Sequence, residues 1–204
     1  MKLYYWPKTR AFRALWMLEE IGTTYALVPV SLPANEQNGD AFLKVNPMGK
    51  LPALEDGGEA FGESEAVLLY LADRFPDARL GAPAGDPLRG RFLQWMTFTP
   101  ACLEPAMAEK LTGAASNPVS FGWGNLERVR RALDATLAGQ PWLLGERFCA
   151  ADILLANTLE IALGAKVLPR DGLFGDYVAR AQARDAYVRA KAIEAREIRR
   201  LMPG

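Results

Sequence analysis

The stretch that most limits how this chain can fold is Asn46-Pro47-Met48-Gly49-Lys50-Leu51-Pro52-Ala53-Leu54, followed after a turn by Gly62-Glu63-Ser64. Pro52 stands between a turn and a short apolar run. A proline donates no backbone N–H, so it fits the first residue or the edge of a strand rather than a strand interior. A strand over Ala53–Glu55 then turns back at Asp56-Gly57-Gly58 and returns over Glu59–Phe61. Ser64–Phe75 follows with Val67, Leu68, Leu71 and Phe75 at helical spacing. Glu63 and Ser64 therefore lie at a helix start, where backbone N–H groups and the positive dipole end favour a carboxylate.

Upstream, Lys2–Trp6 reads as a strand that Pro7-Lys8-Thr9 breaks. Arg10–Ile21 shows helical spacing at Phe12, Leu15, Trp16, Leu18 and Ile21, with Gly22 at its stop. Tyr25–Val30 reads as a second strand and Ala41–Val45 as a short helix. The resulting βαβαββα order joins two parallel strands by a helical crossover and adds a terminal hairpin, as the connection rules allow. Composition shifts after Phe75, where Pro76, Gly81, Pro83, Gly85 and Pro87 mark a linker. Beyond it only helical patterns occur: Leu88–Leu111, bent near Pro100 and Pro105; Gly124–Leu137; the strongly apolar Ala150–Leu163; and one or two helices within Tyr177–Leu201. The expected division is an α/β domain over 1–77, a linker over 78–87 and an all-helical domain over 88–204. The Arg and Lys residues near the C-terminus are read as a solvated face.

The 24 basic and 24 acidic residues cancel, which argues against general binding to nucleic acid or to an anionic membrane. The apolar start Met1–Trp6 is too short for a signal-peptide core, and no apolar run approaches the ~18 residues of a membrane span. Cys102 and Cys149 are isolated, so a disulfide framework is not expected and a reducing cytosol is. The chain has no histidine, which removes Ser-His-Asp and Cys-His catalysis and every His-ligated metal site. Thiol chemistry here must rest on a thiol brought in by a ligand, or on a lone cysteine.

Taken together, Arg10–Gly22, Asn46–Leu54, Glu63–Phe75 and Gly145–Ile153 resemble, in order and spacing, the glutathione transferase family over nearly the whole chain. The resemblance implies an N-terminal thioredoxin-like βαβαββα domain that binds glutathione, followed by an all-helical glutathione-transferase domain. It implies a cis bond before Pro52 and a cytoplasmic homodimer engaged in detoxification. The implied reaction adds the glutathione thiolate to small hydrophobic electrophiles, with glutathione as co-substrate and no metal. Two other readings stand beside it. One is a non-catalytic glutathione- or protein-binding module of the same fold. The other is a glutathione-dependent isomerase or dehalogenase, against which the missing Ser-Ser-Cys type of loop counts.

The family places its thiol-activating residue at the first strand–helix junction, here Pro7-Lys8-Thr9-Arg10-Ala11. Thr9 is the sole hydroxyl between Trp6 and Phe12. It is the leading candidate to steady the thiolate, and equally a candidate helix cap. Tyr5 and Arg10 are the runners-up. By the resemblance Lys50 pairs with a carboxylate, Leu51 and Pro52 present backbone to the peptide as an added strand would, and Glu63 and Ser64 take the γ-glutamyl end. Trp95, Phe98, Thr99 and Cys102 are expected in the wall of the co-substrate pocket, or else in plain core. Cys149-Ala150-Ala151-Asp152 resembles the family's buried capping box, with cysteine where the family has Ser or Thr.

Overall fold

The structure is a computed structural model and describes residues 1–115 and 117–203. The elements run β1 (Lys2–Tyr5), α1 (Ala11–Ile21), β2 (Ala26–Pro29), α2 (Asp40–Leu43), β3 (Ala53–Asp56), β4 (Glu59–Gly62) and α3 (Ser64–Arg74). Then come α4 (Arg89–Phe98), α5 (Glu104–Thr112), α6 (Leu126–Leu137), α7 (Ala150–Gly164), α8 (Leu173–Gln182) and α9 (Asp185–Leu201). The thioredoxin-like order and the run of helices after it are both present. Two compact units result, residues 1–78 together with 183–204, and residues 79–182. The region expected as one helical block over 88–204 is thus divided, and α9 belongs with the sheet.

In the first unit the sheet order is β2-β1-β3-β4, with β1 parallel to β2 and the other pairs antiparallel. Leu3 and Tyr5 are buried while Lys2 lies on the open face, the alternation expected of a half-covered strand. α1 buries Ala11 through Leu18 and ends on Gly22, whose φ of 72° suits the left-handed turn. Gly57 and Gly58, both at positive φ, close the β3–β4 hairpin. The pairing Tyr4↔Ala53↔Gly62 ends the ladder at Ala53. Leu51 and Pro52 therefore lie just past it, and the peptide between them is cis.

α9 joins this unit through aromatic and charged contacts with α1. Tyr187 packs edge-on against Trp16 and Phe12, at ring-centroid distances of 4.9 and 5.6 Å. Arg184 grips Glu20 with two nitrogens at 2.6 and 2.7 Å, and Arg189 reaches Glu19 at 3.1 Å. The basic residues of α9 are largely exposed, as a solvated face requires, but Glu194 and Glu197 are buried.

In the second unit α7 is buried nearly all round and forms the centre. A π-turn over Thr99–Leu103 separates α4 from α5. Pro100 and Pro105 lack the N–H groups that an unbroken α-helix would use there, which accounts for the change of hydrogen-bond pattern at the π-turn. In the first turn of α7, Asp152 is fully buried and accepts from the N–H of Leu143 (2.9 Å), the N–H of Cys149 (2.8 Å), the Cys149 thiol (3.2 Å) and the Tyr177 hydroxyl (2.6 Å). Among the described residues no helix is long and apolar enough to cross a membrane.

Candidate functional site

A cavity of about 870 Å³ opens on the first unit. Three segments far apart in sequence form most of its wall. Lys8, Thr9 and Arg10 come from the junction of β1 and α1, Met48 through Pro52 from the turn before β3, and Glu63 and Ser64 from the start of α3. Leu32, Gln37 and Asn38 close a further side. Lys8, Arg10 and Lys50 bring three cations against the single carboxylate of Glu63, a balance that suits a ligand with more than one carboxylate.

The local backbone explains how the wall is held. Asn46 is buried, donates to the carbonyl of Lys50 at 2.9 Å and accepts from the N–H of Met48 at 3.1 Å. Its side chain therefore fixes the loop that carries Lys50 and Leu51. Glu63 precedes α3 at φ 63° and ψ 122°, a conformation that L-residues rarely adopt. Such a residue is sustained only where its surroundings over-determine it, and such positions cluster at ligand sites. Ser64 is buried as the first residue of α3.

The N-terminal 73 residues match the family described as "Glutathione S-transferase, N-terminal domain". Glutathione S-transferase GstA of Escherichia coli O157:H7 is 31% identical over 172 residues, which span 82% of this chain and 85% of that protein. The chain belongs to the glutathione S-transferase family. A glutathione transferase from Methylococcus capsulatus superposes with a TM-score of 0.79 at 31% identity, over 95% of this chain and 98% of that one. A sphingomonad glutathione S-transferase in complex with glutathione gives 0.76 at 30% identity, over 96% and 99%.

Within this transferase fold the sequence candidates separate. Lys50, Leu51, Pro52, Glu63 and Ser64 meet in one cavity with Thr9 and Arg10. Tyr5 does not reach it. Its side chain is fully buried, and its hydroxyl points to Glu194 Oε1 at 3.5 Å. Burial first, and then the Glu194 charge, hold its pKa far above the ordinary tyrosine range. Tyr5 thus fails as a thiol donor because strand alternation turns it into the core, a consequence of its register with buried Leu3.

Thr9 lines the cavity, but its hydroxyl is already engaged. It donates to the carbonyl of Trp6 at 2.7 Å and accepts from the N–H of Ala11 at 3.2 Å. The residue at the cap of α1 is Arg10, whose side chain makes no capping bond, so Thr9 serves only the N–H of the first helical residue, and donation to a thiolate requires the hydroxyl to turn away from Trp6.

In the second unit Trp95 and Thr99 are buried core, not cavity wall, because they lie on the inward face of the helix around the π-turn. Phe98 and Cys102 line a hollow of about 420 Å³ with Phe121 and Trp123. The indole N–H of Trp123 finds no partner among the described residues. Burial raises the Cys102 thiol pKa. Cys149 is fully buried, and burial with the Asp152 charge pushes its thiol well up, so it is inert. Among the described residues no cluster of three His, Cys, Asp or Glu side chains suits a metal.

Sequence reasoning missed two residues of the site's support, Asn46 and Glu194. Asn46 stood inside the diagnostic stretch but carried no charge to mark it. Glu194 had a signal, since it continues the inward stripe of Tyr187 and Ala190 on α9.

Proposed function

We propose that the protein binds glutathione along the Lys50–Pro52 edge and adds its thiolate to small hydrophobic electrophiles. The observation that carries this reading is the meeting of Lys50, Leu51, Glu63 and Ser64 with the first strand–helix junction in one cavity. Lys50 pairs with the glycyl carboxylate. Leu51, just beyond the ladder, offers its backbone to the cysteinyl residue as an added strand would. Glu63 takes the γ-glutamyl ammonium, while Ser64 and the start of α3 take the neighbouring carboxylate. The sulfur then lies toward Thr9 and Arg10.

Glutathione's thiol has an ordinary pKa near ~8.5, so little is thiolate at neutral pH. The start of α1, the Arg10 charge and the Thr9 hydroxyl each lower that value by stabilising the anion. The thiolate attacks the electrophilic carbon. A C–S bond forms, and either a leaving group departs with its electron pair or the adjacent carbon takes up a proton. The active form is a homodimer in a reducing compartment, where glutathione remains a thiol.

Calorimetry with glutathione and turnover of an activated chloroarene test this reading together. Saturable binding with glutathione-dependent release of chloride is the expected result. Binding without turnover leaves the non-catalytic module, and absence of binding overturns the assignment of the cavity. A concentration-independent monomer mass in sedimentation rejects the dimer.

A further inference from the structure

We propose that Glu194, close to the C-terminal end of the chain, is a positioning residue for the loop that faces the thiol, so that α9 governs turnover. The proposal rests on the transferase reading for its effect on catalysis, and on geometry alone for its effect on the loop.

Lys8 adopts a φ of 60°, in the left-handed region that a side chain disfavours. The loop does not hold itself there by glycine. Its backbone N–H donates to Glu194 Oε1 at 3.0 Å. The same oxygen lies 3.5 Å from the Tyr5 hydroxyl, and the other carboxylate oxygen accepts from Lys191 Nζ at 3.1 Å. The Lys191 ammonium in turn sits 4.3 Å from the centre of the Phe12 ring on α1. One carboxylate thereby ties β1, the Lys8 turn and α9 together.

Glu194 is only 7% exposed, on a stripe whose other inward members include Ala186, Tyr187 and Ala190. A leucine there would cover the sheet unit without the desolvation of a buried carboxylate. A carboxylate at such a place needs partners: Lys191 on the same helix balances its charge at Oε2, and the Lys8 N–H, far away in sequence, takes Oε1 as its acceptor. Lys8, Thr9 and Arg10 all line the cavity. Relaxation of Lys8 to an ordinary φ swings Thr9 and Arg10 away from the sulfur, while the walls at Lys50–Pro52 and Glu63–Ser64 stay where they are.

Three variants of the full chain test this. Glu194→Leu removes the acceptor, Glu194→Gln keeps an oxygen for the Lys8 N–H, and Glu194→Asp keeps the charge but withdraws it by one methylene. With an activated chloroarene, Glu194→Leu should lose tenfold or more in kcat, with the KM for glutathione changed less than threefold. Glu194→Gln should stay within threefold of the parent, and Glu194→Asp should fall below Glu194→Gln. Amide hydrogen exchange over residues 7–11 should quicken in Glu194→Leu, with β3 and β4 unaltered. Parent-like kcat and exchange in a folded Glu194→Leu overturn the proposal, as does a Glu194→Gln no better than Glu194→Leu. If Glu194→Leu does not fold, the ranking of Glu194→Asp against Glu194→Gln decides, and equal rates overturn it. If the parent itself shows no turnover, the transferase reading has failed and the exchange measurement alone decides the proposal.

Discussion

A Cβ placed on Gly62 would lie 2.6 Å from Nδ2 of Asn46 and 3.1 Å from its Cγ. The last residue of β4 and the Asn46 amide thus share a space that exists only because residue 62 has no side chain. Asn46 uses that space to reach the Lys50 carbonyl and the Met48 N–H. The hairpin that ends at Gly62 and the loop that carries Lys50 and Leu51 are therefore one mechanical piece.

Gly62→Ala should break that piece. The backbone at residue 62 does not require glycine, so the strain falls on the buried Asn46 amide. Overpacking of this kind costs about 1–3 kcal/mol of stability. Because the displaced loop carries Lys50 and Leu51, glutathione affinity should fall about tenfold, an energy of roughly 1.4 kcal/mol. Thermal unfolding and calorimetry measure the two effects. A destabilised protein with parent affinity shows that Asn46 supports the fold and not the site.

The Asp152 hub gives a contrast of signs. Asp152→Ala orphans four donors around one buried carboxylate. Each orphaned buried group costs about 1–3 kcal/mol, so a loss on the order of 4 kcal/mol or more is expected. Cys149→Ser keeps the geometry and replaces a weak S–H donor to Asp152 with a stronger O–H donor. It should raise stability by about 0.5–1 kcal/mol, because a hydroxyl is a stronger partner than a thiol in a capping box that is already closed. Urea titration of both variants against the parent reads the difference. A less stable Cys149→Ser means that the larger sulfur matters more for packing than the hydroxyl does for the cap.

Asp86 gives a pH dependence. It accepts from the Leu88 N–H at 2.8 Å and from Arg147 at 2.8 Å, and these contacts, Arg147 first, hold its carboxyl below the ordinary aspartate pKa of 3.8. A lowered pKa in the folded state gives stability that is fully present above the ordinary value and is lost as pH falls through the folded one. Asp86→Asn should therefore lower the thermal midpoint near neutral pH. The gap between variant and parent should close below the ordinary aspartate range. A gap that persists at pH 2 would mean that the amide disturbs the start of α4 by shape and not by charge.

Much of this was legible in the sequence, and what escaped shares one physical cause. Pro52, Gly57-Gly58 and the stripe Val67, Leu68, Leu71 fix local conformation through their own chemistry, so the hairpin and α3 could be read directly. The meeting of Lys50 with Glu63 and Ser64 was implied by the family resemblance, and the hairpin, by returning the chain to where it began, is what brings it about. Glu194 and Lys8 are 186 residues apart. No local pattern joins them, and a run of arginines and lysines around Glu194 masked a buried acid as part of a solvated face. Tyr5, a runner-up for the thiol although it sits in the expected first strand, falls away for a related reason. A hydroxyl near the right junction looked useful, but strand alternation with Leu3 had already assigned it to the core. The division of 88–204 escaped likewise, since the aromatic contacts of Tyr187 that draw α9 to α1 involve residues over 170 positions away.

Thr9 yields the last expectation, and the structure sets its size. The hydroxyl has one hydrogen, and it lies on the Trp6 carbonyl. A neutral hydrogen bond is worth about 0.5–1.5 kcal/mol and one to a charged group about 1.5–3 kcal/mol. Turning from Trp6 to a thiolate therefore gains about 1 kcal/mol, somewhat less than one pKa unit at about 1.4 kcal/mol per unit. Thr9→Val should raise the pKa of bound glutathione by roughly 0.7 unit and slow turnover at neutral pH about fivefold. Above the pKa of the bound thiol in both proteins the rates should converge, since each then holds thiolate. Thr9→Ser keeps the hydroxyl and should match the parent throughout. Ultraviolet absorbance of the bound thiolate against pH measures the shift directly. An unshifted titration with a lowered thermal midpoint in Thr9→Val confines Thr9 to holding the start of α1. The thiolate then depends on Arg10 and the start of α1, which is the arrangement that the Glu194 tether to Lys8 would hold in place.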